Sequence, residues 1–129
     1  MERVVVDTDI IIDFLRTGRG MFASLLDDQE QEIIELFISA ITVIELLSGE
    51  MPKAQETLTL QLVSDLEIIP VHRELAAFAG NSKRGKKLFT DLADYLIGIS
   101  SVYVGAKLAT RNIKHFVGIK GLEFYPLKT

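Results

Sequence analysis

Five acids and one short polar segment concentrate the chemistry of this sequence. Asp7 follows the apolar run Val4–Val6, with Thr8 and Asp9 directly after it. Glu45 comes shortly after the strand-like Leu36–Ser39, and Asp91 and Asp94 open the most apolar stretch of the chain. Arg111 and Asn112 follow a short run, Lys107–Thr110. In an open α/β sheet, ligands bind outside the carboxyl ends of the strands, which is where Asp7, Glu45, Asp94 and Asn112 fall. Packed carboxylates raise one another's pKa unless a cation sits among them. An all-oxygen set suits Mg2+ or Mn2+ rather than zinc. Such an ion polarises a phosphodiester and activates water, so the chemistry points to phosphoester hydrolysis.

Each of these residues also has a structural role open to it. Asp7 or Asp9 can cap a helix starting at Ile10, although the strand end favours function for Asp7. Glu45 stands three residues after Thr42, the spacing of a capping box. Asp91 and Asp94 lie in the first turn after Thr90, where acids suit the helix dipole. That role explains Asp91 better than Asp94, whose helix is apolar on nearly every side and leaves a carboxylate in need of a partner. Asn112 fits a turn, and His115, beside Phe116, reads as a surface or packed histidine. Lys83–Lys87 reads as a solvated loop, whereas Arg111 and Lys114 are better placed for phosphate. Phe78, Phe89 and Tyr95 read as core or interface.

The elements that must position these groups alternate between strand and helix. Strands are expected at Arg3–Val6, Leu36–Ser39, Leu66–Val71 and Lys107–Thr110, with a further one at Glu123–Tyr125. Helices are expected at Ile10–Leu15, Phe22–Glu35, Thr42–Leu47, from Pro52 through Leu58, Leu60 and Leu62, at His72–Asn81 and at Thr90–Val104. The alternation predicts an α/β fold with a parallel sheet covered on both faces, a three-layer α/β/α sandwich. At 129 residues the chain fits one domain, residues 1–129. With no cysteine, disulfides and thiolate metal sites are excluded. The net charge of −4 argues against a basic surface wrapped around nucleic acid, yet leaves a metal-assisted nuclease open. No leader or membrane-length apolar run is present, so a cytoplasmic location is expected.

Two stretches, Val4–Asp13 and Ile38–Gly49, resemble the PIN domain, and more narrowly the VapC toxins of type II toxin–antitoxin pairs. Asp94-Tyr95-Leu96-Ile97-Gly98 is similar to the family's Asp-Ala-Leu-Ile-Ala segment. Thr110-Arg111-Asn112-Ile113-Lys114-His115-Phe116 is similar to its Thr-Arg-Asn-x-x-Asp-Phe segment, and Gly121–Pro126 resembles the closing strand. The resemblance covers essentially the whole chain. It implies a PIN-like sheet of four to five strands in the order 3-2-1-4-5. It also implies a Mg2+- or Mn2+-dependent endoribonuclease acting on RNA, a VapB-like antitoxin partner and a homodimer. On this pattern Asp7, Glu45 and Asp94 hold the metal, with Asp9 and Asp91 in support. Thr8, Thr110 and Asn112 bond the ligands or the water, and Arg111 and Lys114 position phosphate. Apolar side chains such as Phe14, Phe22 and Leu26 are candidates for the dimer surface.

Two positions depart from the pattern: Asp9 stands where relatives often carry Asn, and His115 where many carry Asp. Two other readings stand beside the nuclease. Asp7-Thr8-Asp9 also fits a haloacid-dehalogenase-like phosphatase with Asp7 as nucleophile, although no lysine stands clearly in place. The substitution at His115 also suits a catalytically weak PIN-like binding module.

Overall fold

The computed structural model describes residues 1–88 and 90–127, so Phe89, expected in the core or an interface, lies outside the described residues. The β-branched run fills β1 (Glu2–Val6), the inner strand of a parallel sheet. It pairs with β2 (Ile34–Ser39) on one side and β4 (Lys107–Ala109) on the other, while β3 (Glu67–Ile69) flanks β2. The order is β3-β2-β1-β4, with every pairing parallel. Where a fifth strand is expected, the chain makes one parallel bridge, Leu108 to Phe124. Leu108 N–H donates to Glu123 O at 2.9 Å and Tyr125 N–H to Leu108 O at 2.8 Å.

Val4, Val5 and Val6 are fully buried because both faces of the sheet are covered. Period-two alternation sends Val4 and Val6 into one apolar cluster with Ile34, Leu36, Ile38 and Phe22. Val5 turns to the other face, with Leu75, Ile97, Leu108 and Phe116. Helices α1 (Thr8–Thr17) and α2 (Met21–Glu30) contribute to the first cluster. Leu46 of α3 (Ala40–Ser48) and Leu62 and Val63 of α4 (Lys53–Asp65) join it. On the second face lie α5 (Arg73–Lys83) and α6 (Leu92–Tyr103). This is the expected α/β/α sandwich, and each fully buried Val or Ile contributes roughly 1.5–3 kcal/mol to it. Among the described residues no helix is long and apolar enough to cross a membrane.

The boundary between α2 and β2 differs from expectation. The helix stops at Glu30, and Glu32 takes a positive φ of 62° that reverses the chain. Ile34 and Glu35, expected in the helix, begin β2 instead. Alternation of Ile34, Leu36 and Ile38 into one face outweighs the helical spacing of Leu25, Leu26, Ile33 and Ile34. Because β3 pairs with β2 only from Phe37 onward, the Leu36 N–H is taken by Gln29 Oε1 at 2.8 Å. The polar face of α2 thereby closes a gap in the ladder. Two further expectations fall to burial. Leu58 and Leu60 of α4 are exposed while Thr59 between them is buried, and Phe22 belongs to the core, which removes it from any dimer surface.

Candidate active site

The register of β1 against β4 places Val6 opposite Ala109, so Asp7 and Thr110 stand side by side just past two strand ends. Asp7 N–H donates to Ala109 O at 2.9 Å, fixing the backbone there. The Asp7 side chain is only 5% exposed. Its Oδ1 accepts from the Thr8 N–H at 2.8 Å, and its Oδ2 accepts from the Thr110 hydroxyl at 2.7 Å. Asp7 is therefore also the N-cap of α1, which starts at Thr8 rather than at Ile10. Capping and a role in the site are compatible, because each carboxylate oxygen retains a second lone pair.

β2 ends at Ser39, whose hydroxyl accepts from Ile41 N–H and caps α3. Thr42 consequently lies inside the helix, and the capping-box reading of Glu45 falls away. Glu45 instead faces α1: the Thr8 hydroxyl donates to Glu45 Oε1 at 2.6 Å and lies 3.0 Å from the Thr42 hydroxyl. Thr8 and Thr42 are buried. Sequence reasoning included Thr8 and Thr110 but missed Thr42 as part of this network. Its position three residues before Glu45, on the same side of one helix, was the available signal.

The other half of the site comes from α6 and the turn after β4. Asp91 caps α6, its Oδ1 accepting from Asp94 N–H at 2.8 Å. The Asp94 side chain is 23% exposed, and His115 Nδ1 stands 3.5 Å from its Oδ2. His115 belongs to a 3-10 turn, Ile113–Phe116. Partial burial, then the charges of Asp91, Asp7 and Glu45, push the Asp94 pKa from 3.8 up to about 6, with His115 pulling the other way. The Asp7 pKa is raised as well, first by burial and then by Asp9 and Glu45, against the bonds from Thr110 and Thr8. The acids from three separate stretches thus share one electrostatic environment.

Asp9 is exposed on the first turn of α1, where its Oδ2 accepts from Asn112 Nδ2 at 2.9 Å. Asn112 N–H in turn donates to Thr110 Oγ1 at 2.9 Å, and Arg111 reaches the Asp9 carbonyl at 3.4 Å. Lys114 is exposed in the same 3-10 turn, lining an open hollow with Arg111, Ile113 and His115. Among the described residues no three acid or imidazole groups already stand at spacing for one ion. The chemistry of the set nonetheless suits a divalent cation. Its donors are hard oxygens, Glu45 is exposed and free to adjust, and the raised pKa values record repulsion that a cation would relieve.

The sequence model of the PIN domain matches residues 4–120. The chain belongs to the PIN-domain family. This PIN domain resembles a chain of VapBC2 from Rickettsia felis bound to a DNA fragment from their promoter. The TM-score is 0.80 at 23% identity, over 98% of this chain and 99% of that one. It is also similar to a chain of a toxin–antitoxin complex from Klebsiella pneumoniae, with 30% identity and a TM-score of 0.66 over 92% and 94% of the two chains. A third likeness is to DNA-bound VapBC from Salmonella typhimurium, at 20% identity, a TM-score of 0.73 and 97% and 98% coverage. No curated protein matches the chain by sequence. Membership of the PIN family leaves the phosphatase alternative without support.

Proposed function

We propose that this PIN domain, residues 1–129, is a metal-dependent endoribonuclease and the VapC-type toxin of a toxin–antitoxin pair. The observation that carries the reading is the meeting of Asp7, Glu45 and Asp94 past the strand ends, with their pKa values coupled across the site. These three carboxylates would hold Mg2+ or Mn2+, with Asp9 and Asp91 near enough to bind directly or through water. The bound ion supplies Lewis acidity and a water of lowered pKa.

The remaining steps belong to the protein's own groups. Thr110 and the Thr8 N–H hold both oxygens of Asp7, so its orientation is set before substrate arrives. The Thr8 hydroxyl does the same for Glu45. Asn112 ties Asp9 to the turn that presents Arg111 and Lys114, whose cations meet the RNA phosphates. The water oxygen bonds to phosphorus as the bond to one ribose oxygen breaks; the water loses a proton and the departing oxygen gains one.

Cleavage of a structured RNA in Mg2+ or Mn2+ tests the reading. Asp7→Asn and Asp94→Asn should each lower the rate at least about a hundredfold, with folding checked by circular dichroism. Cleavage at the parental rate by both variants sinks the proposal.

The likeness to chains of toxin–antitoxin complexes supports an antitoxin partner of the VapB kind. This reading seats an antitoxin segment in the apolar groove between α1 and α4, lined by Phe14, Leu15, Leu58 and Leu62. It assigns the exposed Ile44 and Leu47 of α3 to a homodimer. Both expectations are consistent with cytoplasmic action on RNA.

A further inference from the structure

We propose that His115 supplies an imidazole nitrogen to the divalent ion held by Asp7, Glu45 and Asp94, and that this nitrogen makes the site select Mn2+ over Mg2+. The inference rests on the metal site of the proposed nuclease and sharpens it.

Its position begins with Gly98. This glycine lies one turn beyond Asp94 on α6, and a Cβ there would meet Ile119 Cδ1 at 2.6 Å and Phe116 Cδ1 at 3.2 Å. Absence of a side chain lets the segment carrying Phe116 and Ile119 pack directly against α6, both residues being buried in the second core cluster. His115 is thereby held beside Asp94 by its neighbour's anchoring, while its own ring stays 59% exposed. The ring contributes little to the core and is free to turn into the site.

The spacing of the two groups is informative. At 3.5 Å, Nδ1 and Asp94 Oδ2 are beyond the usual hydrogen-bond range of about 2.7–3.2 Å. Two adjacent ligands on one ion, with bonds of about 2.1 Å, stand roughly 3–3.5 Å apart. The groups facing this space are Asp7, Glu45, Asp91 and Asp94, all oxygen donors. His115 is the nitrogen donor among them. Mg2+ demands oxygen ligands and gives up its waters reluctantly, whereas first-row transition ions accept imidazole readily. A mixed set of carboxylates and one imidazole therefore shifts preference toward Mn2+.

The chain offers a clean spectroscopic test because it has only two histidines. The other, His72, caps α5, its Nδ1 accepting from Leu75 N–H at 3.1 Å, and it stands apart from the acids. Untagged, metal-free protein is titrated with Mn2+ and with Mg2+, and the Mn2+ complex is examined by pulsed electron paramagnetic resonance for coupling to 14N. The parent should show nitrogen coupling, and His115→Ala should lose it together with about tenfold in Mn2+ affinity, its Mg2+ affinity nearly unchanged. His115→Asp should also lose the coupling and bind Mg2+ more tightly than the parent. Bound Mn2+ without nitrogen coupling in the parent, or a Mn2+ to Mg2+ affinity ratio that His115→Ala leaves unaltered, overturns the assignment and leaves the oxygen site standing. Failure of the parent to bind Mn2+, or binding indifferent to Asp7→Asn, overturns the metal-site reading and this assignment with it.

Discussion

The two halves of the candidate site are built on different physical terms. Around Asp7, acids are buried and their oxygens are met by hydroxyls and a backbone N–H from adjacent strand ends. Around Asp94, the carboxylate is more exposed, stands among other negative charges and has only His115 to pull its pKa down. The first half is oriented by fixed hydrogen bonds before any ligand arrives. The second is left under electrostatic repulsion, which is relieved only when positive charge enters. A site needs both properties: order to place the ligands, and unspent charge to attract the ion.

Breaking the ordered half should have the larger effect on stability. Thr110→Val removes the hydroxyl from Asp7 Oδ2 and leaves a buried carboxylate short of a partner. A loss of about 1.5–3 kcal/mol is expected near neutral pH, read from urea denaturation. Because the Asp7 pKa is already raised, the penalty for its charge is absent at low pH and grows as pH rises. The Thr110→Val defect should therefore be greater at pH 7.5 than at pH 4. A defect of equal size at both would show that Thr110 acts through packing alone.

A smaller effect is expected at Thr8. Thr8→Val keeps the volume and the backbone N–H to Asp7 but removes the bond to Glu45. About 0.5–1.5 kcal/mol should be lost, and Mn2+ affinity should fall because Glu45 is no longer oriented. Thr8→Ser should restore the affinity; if it does not, the hydroxyl is not what positions Glu45.

The strained half should respond in the opposite direction. In the folded protein the Asp94 pKa is raised from 3.8 to about 6, so the folded state is favoured most below pH 4 and loses that contribution as pH rises through 6. In chelator, Asp94→Asn should melt a few degrees higher than the parent above pH 6, with the gap closing toward pH 4. Added Mn2+ should raise the melting temperature of the parent and not that of the variant. A variant less stable than the parent at every pH would contradict the picture of repulsion.

Much of the first half could be read along the chain. Val4–Val6 announces a strand by its β-branching, and Asp7-Thr8-Asp9 behind it announces both a helix start and a ligand position. The choice between cap and ligand that the sequence leaves open dissolves in three dimensions, since the capping carboxylate still faces Thr110 and the other acids. Glu45 was legible as a site residue, but its helix began two residues earlier than expected, at Ala40, because Ser39 is the cap. The end of α2 was not legible, since it depends on a positive φ at Glu32 that no periodicity records.

By itself, then, the sequence determined which residues are apolar enough to form an inner parallel strand and which acids follow the strand ends. Local rules suffice there, because alternation and capping act within a few residues. Only the tertiary structure decided which acids would be satisfied and which would face one another. The bond from Thr110 to Asp7 spans 103 positions, and the contact of Thr8 with Glu45 spans 37. Such partners are set by the register of neighbouring parallel strands, a property of the assembled sheet rather than of any one segment.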